Sequence, residues 1–488
     1  MTDSGTIHRT TDDLAYLTAT EAHALFEKRE VSPVELLEAV IDRAERVEPT
    51  LNAFSHRRYD EARAQARESE ARFLGKGGGA PRPLEGIPVA TKEKHALAGE
   101  EMTEGSLAFK GRIATETAPV TERIQQAGGI IHARTTTPEF SIATYTHSRL
   151  WGTTRNPWNP DFTPGGSSGG SGAALAAGTA TLASASDIGG STRIPASFNN
   201  VVGFKAPYGR VPGVAPLSAD FYRGDGPMAR SVDDTITFQN VLAGPDPRDH
   251  TSLRPKLELP YAYEEVNGAR IAMCVRLGDF EVHPEVETAV RATAQLLADA
   301  GAEVVEVELP WTTDEIVLAE MAHIGQIFGA TVIETLDEHG ELLNPYTHFL
   351  SEPLREANRL PFLDGLRIET RMQRELAETM AGFDALLAPV TAVPGWPAGD
   401  ELTQPYAYDA DSRPRDVLTR LGMTIPFNIN NRCPVLTVPT GSFAAGSGLP
   451  IGVQIVGHTC DDAAVFRVGK AVEALRPWTY TALNRPAL

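Results

Sequence analysis

Three short segments of the 488-residue chain combine residue types that can support nucleophilic chemistry. The run Pro164–Gly172 (PGGSSGGSG) offers Ser167 on a glycine-rich backbone. In Gly189–Ser191 two glycines precede a serine, so backbone N–H groups can turn inward and hold an oxyanion. Lys92 ends the apolar stretch Ile87–Thr91, where burial would lower the pKa of its amine and leave it partly neutral. Each segment alone also fits an ordinary turn or a surface lysine.

The run 164–172 admits three other interpretations. A flexible linker is disfavoured because Ala173–Ala180 continues as a small-residue helix. A phosphate loop would need a Lys-Ser or Lys-Thr pair after the glycines, and none follows. Gly165–Gly169 matches the G-x-S-x-G nucleophile elbow of α/β-hydrolases, with His458 near the C-terminus as the histidine. That elbow must follow a buried strand directly, whereas the proline-rich segment Asn156–Pro164 precedes it.

The surrounding pattern alternates strands with helices. Short apolar runs predict strands at Ile87–Thr91, Gly129–Ala133, Ala180–Ala185, Arg270–Val275, Ala302–Val307, Ala385–Pro389, Val435–Pro439 and Ile451–Val456. Helical spacing of apolar residues predicts helices at Val120–Ala127, Ser231–Leu242, Pro284–Ala300 and Asp461–Leu475. This alternation predicts an α/β fold whose sheet is covered on both faces by helices.

The sequence predicts a single domain over residues 1–488. Residues 1–75 are predicted helical, and Ser32–Glu35 is a strong helix start, with serine as N-cap, proline next and glutamate reaching back. Residues 311–381 also follow a helical pattern and could cover a site as a lid. No linker long enough to separate independent domains interrupts the chain.

Composition excludes several classes of partner. The formal net charge of -20 repels phosphate backbones and anionic lipid surfaces, so neither nucleic acid nor a membrane is expected to bind.

The polar N-terminus resembles no targeting signal, and Cys274, Cys433 and Cys460 are expected to be free thiols in a reducing cytoplasm. No His/Cys/Asp spacing suits a metal, and no cofactor is predicted; His95 and His147 are interpreted as packing residues.

Taken in order, Lys92, the Gly/Ser run and the Gly-Gly-Ser turn resemble the amidase-signature family. The resemblance is closest over residues 84–228. It extends to the segments Thr137–Phe140, Trp151–Trp158, Gly203–Pro207, Gly226–Ser231 and Gly448–Gln454. It implies a single large α/β domain with a mixed central sheet covered on both faces by helices.

The resemblance also implies roles for individual residues. Ser191 would be the nucleophile, Ser167, after a cis peptide bond, would relay the proton, and Lys92 would be the base. Backbone N–H groups expected to hold the oxyanion are those of Ile188, Gly189, Gly190 and Ser191. Residues expected to support this loop are Ser168, Asp187 and Arg193. The pocket walls are expected at Ser141, Ile142, Thr144, Tyr145, Gly165 and Gly166, and in residues 311–381.

Three segments depart from the family pattern. Glu93 follows the lysine where aspartate is usual. Ala133–Thr137 stands where Gly-Lys-Thr-Asn commonly precedes the Pro-Glu-Phe segment, and Asn430–Pro434 lacks a glycine often found there. None of these changes touches Lys92, Ser167 or Ser191. Because of the last two, the resemblance does not specify the shape of the substrate pocket.

The main functional hypothesis is a free-standing serine amidohydrolase acting on a small amide, anilide or carbamate (urethane) through an acyl-enzyme on Ser191. The first alternative is a glutamine amidotransferase subunit of the same family, which would need a partner protein. An α/β-hydrolase-type esterase using Ser167 and His458 is the second. A non-catalytic scaffold would be expected to lack one of the three residues, and all three are present. A homodimer would be in keeping with the family.

Overall fold

A computed structural model describes residues 9–399 and 422–488 of the chain. Its strands are β1 (Phe54–Arg57), β2 (Pro88–Lys92), β3 (Ile130–Thr135), β4 (His147–Ser148), β5 (Gly152–Thr153), β6 (Leu182–Asp187), β7 (Val202–Lys205), β8 (Gly224–Ala229), β9 (Arg270–Met273), β10 (Glu303–Glu306), β11 (Ala385–Pro389), β12 (Val435–Phe443) and β13 (Pro450–Val456). Its α-helices are α1 (Thr11–Ala15), α2 (Ala19–Lys28), α3 (Pro33–Leu51), α4 (Tyr59–Phe73), α5 (Pro119–Gln126), α6 (Gly169–Ala176), α7 (Arg193–Phe198), α8 (Val232–Leu242), α9 (Pro284–Asp299), α10 (Thr313–Gln326), α11 (Phe328–His339), α12 (Pro345–Ala357), α13 (Phe362–Thr379), α14 (Pro426–Ile429) and α15 (Asp462–Leu475).

One mixed sheet forms the centre of the molecule. Its 11 strands lie in the order β1-β3-β2-β6-β8-β7-β12-β13-β11-β9-β10. β2 is parallel to both of its neighbours, β3 and β6, whereas β6, β8, β7 and β12 run antiparallel in succession. β4 and β5 form a separate two-stranded ribbon. The single α/β domain with a large mixed sheet is therefore confirmed.

Alternating side chains bury both faces of this sheet. On β6, Leu182 packs into a cluster with helices α3, α5 and α8, while Ala183 faces the alanines of α6 on the opposite side. Strand geometry gives this period of two, and the residue types match it. The α6 side is built from alanine and glycine because the helix lies close to the strands: a Cβ atom on Gly170 would be 2.5 Å from Thr136 Oγ1.

The helix start predicted at Ser32 is present. Ser32 Oγ accepts the N–H of Glu35, and the Glu35 carboxylate accepts the N–H of Ser32 at 2.8 Å. This reciprocal cap satisfies two backbone donors that a helix terminus leaves unpaired. The apolar face of α3 behind the cap packs against β2 and the neighbouring helices.

All eight predicted strands and all four predicted helices are confirmed, with some ends shifted. The small-residue helix is placed wrongly by the sequence: α6 spans Gly169–Ala176, because Gly178 adopts a φ of 73° and ends it before Ala180. Sequence reasoning also missed β7 and β8, and the region 1–75 is not helical throughout, because β1 pairs with β3 at the end of the sheet. The Gly-Asp-Gly-Pro composition of β8 is typical of a turn, yet this strand lies between β6 and β7.

Four helices, α10 to α13, occupy the interval 311–381. Within the described part of the chain, no single helix is long and apolar enough to cross a membrane. One bent pair, Thr313–Gln326 with Phe328–Leu342, meets those criteria jointly by length and composition, with a 57° bend between its halves.

Candidate active site

The lysine that ends β2 lies at one edge of the sheet, beside the end of β6. The two strands are parallel neighbours, with Val89 paired to Leu182 and Ala90 paired to Ala183. Their carboxyl ends therefore meet at the same edge, which is where open α/β sheets hold their ligands. The side chain of Lys92 is fully buried there.

Three serine hydroxyls surround the amine of Lys92. Its Nζ atom is 2.7 Å from Ser167 Oγ, 3.0 Å from Ser168 Oγ and 3.0 Å from Ser186 Oγ. A neutral amine carries two N–H bonds and one lone pair, so it can donate to two of these hydroxyls and accept from the third. Ser168, expected to support the loop, thus also contacts the amine. Ser186 is a contact that sequence reasoning missed.

The surroundings of this amine favour its neutral form. Burial is the largest influence, and it holds the pKa of Lys92 well below the ordinary lysine value. The positive charges of Lys94 and Arg223 lower this pKa further, whereas Asp225 and Asp187 oppose the shift. Because its hydrogen-bond partners are uncharged hydroxyls, the amine is suited to accept a proton at neutral pH.

Ser167 and Ser191 line one small cavity beside the amine. The peptide bond between Gly166 and Ser167 is cis, as the resemblance implies. Gly166 is required for this close packing, since a Cβ atom there would be 2.5 Å from the carbonyl oxygen of Tyr145. The N–H of Ser168 donates to the carbonyl oxygen of Ser191 at 3.2 Å and holds the two loops together.

Four backbone N–H groups were expected to hold an oxyanion, and one of them already donates a hydrogen bond within the protein. The N–H of Gly190 donates to Asp187 Oδ1 at 2.8 Å. The N–H groups of Ile188, Gly189 and Ser191 have no acceptor among the residues that the structure describes. Gly190 adopts a φ of 119°, so its role here is to turn the loop. The three remaining donors are available to a ligand.

A buried ion pair supports the loop. Asp187 accepts hydrogen bonds from Arg193 Nη2 at 2.8 Å and Nε at 3.0 Å, from Asn428 Nδ2 at 2.9 Å and from the N–H of Thr192. Burial alone would raise the pKa of Asp187, but Arg193 and Asn428 hold it well below its usual range. The carboxylate therefore stays charged, and its charge is neutralised by the guanidinium beside it.

A second, larger cavity is also lined by Ser191. Three of the predicted pocket residues line it: Ser141, Ile142 and Thr144. Tyr145, Gly165 and Gly166 do not; they are buried in the wall behind the lining. The opposite wall comes from the helical interval 311–381 and is mostly apolar, formed by Met321, Ile324, Phe328, Leu350, Pro353 and Leu354.

Within residues 9–399 and 422–488, Glu320 is the one ionisable side chain that lines this apolar cavity. Burial raises its pKa to about 8, so the carboxyl group is mostly protonated at neutral pH. Its Oε1 atom lies 3.7 Å from the position that a Cβ atom would take on Gly189. The cavity beside the free N–H groups is therefore uncharged below that pH. Sequence reasoning gave no signal for Glu320, since it depends on how α10 folds over the sheet.

Two cations line the small cavity shared by Ser167 and Ser191, and both were missed from the sequence. Lys94 follows Lys92 by two residues, and that proximity was the available signal. Arg223 precedes β8, a strand that the sequence did not reveal, so its position could not be foreseen.

The residue pair required by the esterase alternative does not form. Ser167 Oγ contacts Lys92, whereas the His458 ring donates to the carbonyl oxygen of Phe383 at 2.7 Å and lines a different cavity. No strand directly precedes the serine, because β5 ends at Thr153. The nucleophile elbow with His458 is therefore wrong for this chain.

Comparisons of the chain with family models, curated proteins and solved structures agree on one family. The model of the Amidase family matches residues 35–466. Among curated relatives, a glutamyl-tRNA(Gln) amidotransferase subunit from Synechococcus sp. (strain CC9605) is 34% identical over 477 residues, covering 91% of this chain and 93% of the relative.

Solved structures of related enzymes superpose over nearly the whole chain. A bacterial aryl acylamidase of the amidase-signature enzymes matches with a TM-score of 0.85 and 28% identity, covering 95% of this chain and 97% of the other. A 6-aminohexanoate cyclic dimer hydrolase complexed with substrate matches with a TM-score of 0.83 and 28% identity, covering 97% and 99%. The curated relative is thus named as an amidotransferase subunit, which is the first alternative that the sequence left open. The two solved structures are named as amide hydrolases.

Proposed function

The chain belongs to the amidase-signature family, and on that premise we propose that it is a serine amidohydrolase. Its substrate would be a small amide, anilide or carbamate with an apolar acyl part. The observation that supports this most strongly is the buried Lys92 amine in contact with Ser167, whose hydroxyl shares a cavity with Ser191. The family acts on C–N bonds, and a neutral amine beside two serines is suited to activate one hydroxyl as a nucleophile.

In the proposed acylation step, Ser191 Oγ attacks the carbonyl carbon of the substrate. Its proton passes to Ser167, and Ser167 gives its own proton to the lone pair of Lys92. The carbonyl oxygen becomes an oxyanion, which the N–H groups of Ile188, Gly189 and Ser191 would bind. Donors of this kind contribute about 3–4 kcal/mol each to lowering the barrier.

Collapse of the tetrahedral intermediate breaks the C–N bond. The proton now on Lys92 returns through Ser167 to the departing nitrogen, so the amine leaves neutral and an acyl ester remains on Ser191. Water then attacks the ester by the same proton path in reverse, releasing the carboxylic acid. Each proton taken up by the lysine in one half-reaction is given back before the next.

The apolar cavity indicates what the acyl group should be. Its walls are aliphatic and aromatic side chains from α10, α11 and α12, and Glu320 within it is mostly uncharged at neutral pH. Burying a charged group there without a partner would cost several kcal/mol. An alkyl or aryl acyl group is therefore the expected occupant.

The second candidate function is that of an amidotransferase component, which the names of the curated relatives favour. Its donor, glutamine, carries an ammonium and a carboxylate on the acyl side. Among the residues that the structure describes, those lining the apolar cavity include no cation to pair with that carboxylate. Ammonia release from glutamine, or co-purification of a partner protein, would favour this function over the first.

The first test is chromogenic release of 4-nitroaniline from an alkyl anilide and from an N-aryl carbamate. Wild type is compared with Ser191→Ala and with a matched control, Ser442→Ala, because Ser442 lies on β12 and does not line either cavity. Release by wild type and the control, and none by Ser191→Ala, would support the proposal. Equal release by all three would contradict the role of Ser191. No release by wild type from either substrate would contradict the substrate class.

A further inference from the structure

Two cations without a bonded partner in the described part of the chain line the small cavity that Ser167 and Ser191 share, and they indicate the chemistry of the leaving amine. We propose that the amine released by this enzyme carries a carboxylate, which binds to Lys94 and Arg223. The substrate would then be an N-acylated amino acid or aminobenzoate with an apolar acyl group. This inference rests on the proposed amidohydrolase function and adds the identity of the second half of the substrate.

The positions of the two serines separate the acyl side from the leaving side. Ser167 would return the proton to the departing nitrogen, so that nitrogen must lie on the Ser167 side of Ser191. The small cavity on this side is lined by both serines together with Lys94 and Arg223. The apolar cavity is also lined by Ser191 but, among the described residues, not by Ser167. The cations therefore face the leaving amine and its substituents.

Neither cation is satisfied within the protein. Among residues 9–399 and 422–488, the side chains of Lys94 and Arg223 make no hydrogen bond or ion pair, and the Nε atom of Arg223 is buried without a partner. Both side chains are partly exposed, so a ligand can reach them. Burial, followed by repulsion from Arg223, lowers the pKa of Lys94 to about 8, which leaves it mostly protonated at neutral pH.

Nearby carboxylates offset only part of this positive charge. Asp225 is the largest acidic influence on both lysines of the site, and its Oδ1 atom lies 3.1 Å from His95 Nε2. Burial alone would raise the pKa of Asp225, but His95, Lys94 and Arg223 hold it well below its usual range, so this carboxylate stays ionised and offsets one of the two positive charges. Asp220 contacts the His323 ring at 2.7 Å, and Glu104 bonds Arg112 at 2.7 Å.

The remaining ionisable groups around Ser191 add no net charge. Asp187 is paired with Arg193, burial lowers the pKa of Lys92 and favours its neutral form, and the carboxyl group of Glu320 is mostly protonated at neutral pH. The small cavity is therefore locally cationic inside a protein whose formal net charge is -20. A guanidinium fork and an ammonium on adjacent walls suit a planar carboxylate.

The test uses two substrates that differ only in charge: the hexanoyl amides of 4-aminobenzoate and of 4-aminobenzamide. Wild type, Lys94→Gln and Arg223→Gln are compared by the ratio of kcat/KM for the carboxylate to kcat/KM for the neutral amide. In wild type the ratio is expected to be about tenfold or more, since a charged hydrogen bond typically supplies that factor. In each variant it should fall toward one.

A binding measurement keeps the test independent of turnover. The free products, 4-aminobenzoate and 4-aminobenzamide, are measured as inhibitors of anilide hydrolysis by wild type and by both variants. The carboxylate should inhibit wild type more strongly than the amide does, and this advantage should be lost in the variants.

Failure of this inference is distinguishable from failure of the proposed function. If wild type hydrolyses both hexanoyl amides with a ratio near one, or if both variants keep the wild-type ratio, the carboxylate-binding role is overturned and the amidohydrolase function stands. If wild type hydrolyses neither of them, nor the nitroanilide, the proposed function is overturned and this inference falls with it. Loss of glutamine hydrolysis in Lys94→Gln would instead place the bound carboxylate on the acyl side and overturn the inference.

Discussion

Replacing Ser167 with alanine should abolish amide cleavage, even though two other hydroxyls still contact the Lys92 amine. Ser168 and Ser186 each lie 3.0 Å from Nζ, only 0.3 Å farther than Ser167 at 2.7 Å. Distance to the lysine therefore does not single out the relay. We propose Ser167 as the relay because the family resemblance gives it that role. Ser186 also lines the cavity that Ser167 and Ser191 share, so variants of the three serines test the assignment.

The expected magnitudes separate the three serines. A positioned proton-transfer group contributes about 10²–10⁴ to a rate, and Ser167 would act in both directions of transfer. A loss of roughly 10³ in kcat/KM corresponds to about 4 kcal/mol, at 1.36 kcal/mol for each factor of ten. Ser168→Ala or Ser186→Ala removes one hydrogen bond to the amine, worth about 1 kcal/mol, and should lower the rate only about fivefold.

The assay is 4-nitroaniline release by Ser167→Ala, Ser168→Ala and Ser186→Ala, with thermal unfolding of each variant to check that it folds. Ser168 also accepts the N–H of Ser186, so its variant is the stricter structural control. The reasoning would be refuted if the three variants lost activity equally. It would be refuted as well if Ser167→Ala kept a tenth or more of the wild-type rate.

Three further predictions concern charge. Lys94→Gln removes a cation that lowers the pKa of Lys92, so this pKa should rise. The acid limb of the pH profile of kcat/KM for a neutral anilide should then move to higher pH, and an unmoved limb would contradict the prediction. Glu320 ionises near pH 8 beside the oxyanion donors, so activity should fall above that pH in wild type but not in Glu320→Gln. Asp187→Asn leaves Arg193 buried and unpaired and should cost about 3–5 kcal/mol in chemical denaturation. Glu303→Gln, in an exposed pair with an arginine, should cost at most about 1 kcal/mol, and equal losses would contradict the difference.

Much of the framework could be predicted because local sequence and tertiary structure agree there. Strands β2 and β6 are continuous apolar or small-residue runs, as buried parallel strands require. The chain order of Lys92, Ser167 and Ser191 then carries the family resemblance. These two observations are enough to place Lys92, Ser167 and Ser191 near one edge of the sheet.

The parts that could not be predicted depend on contacts between distant segments. Glu320 reaches the site because α10 packs over the sheet, more than 100 residues beyond Ser191 in the chain. Arg223 reaches it through β8, whose Gly-Asp-Gly-Pro sequence has the composition of a turn and is held as a strand by pairing on both sides. The hydrogen bond from the Gly190 N–H to Asp187 likewise depends on the geometry of the loop, which residue types do not specify.

A comparison between two buried lysines explains why burial alone does not make a base. Lys205 is as buried as Lys92, and burial lowers its pKa to about 7. Its amine, however, bonds Asn431 Oδ1 and the carbonyl oxygen of Cys433, two acceptors that cannot give it a proton. The Lys92 amine faces hydroxyls, which can both accept and donate. Because a hydroxyl can pass a proton onward and an amide or carbonyl oxygen cannot, the partners of the lysine, and not its pKa, determine which of the two sites can do chemistry.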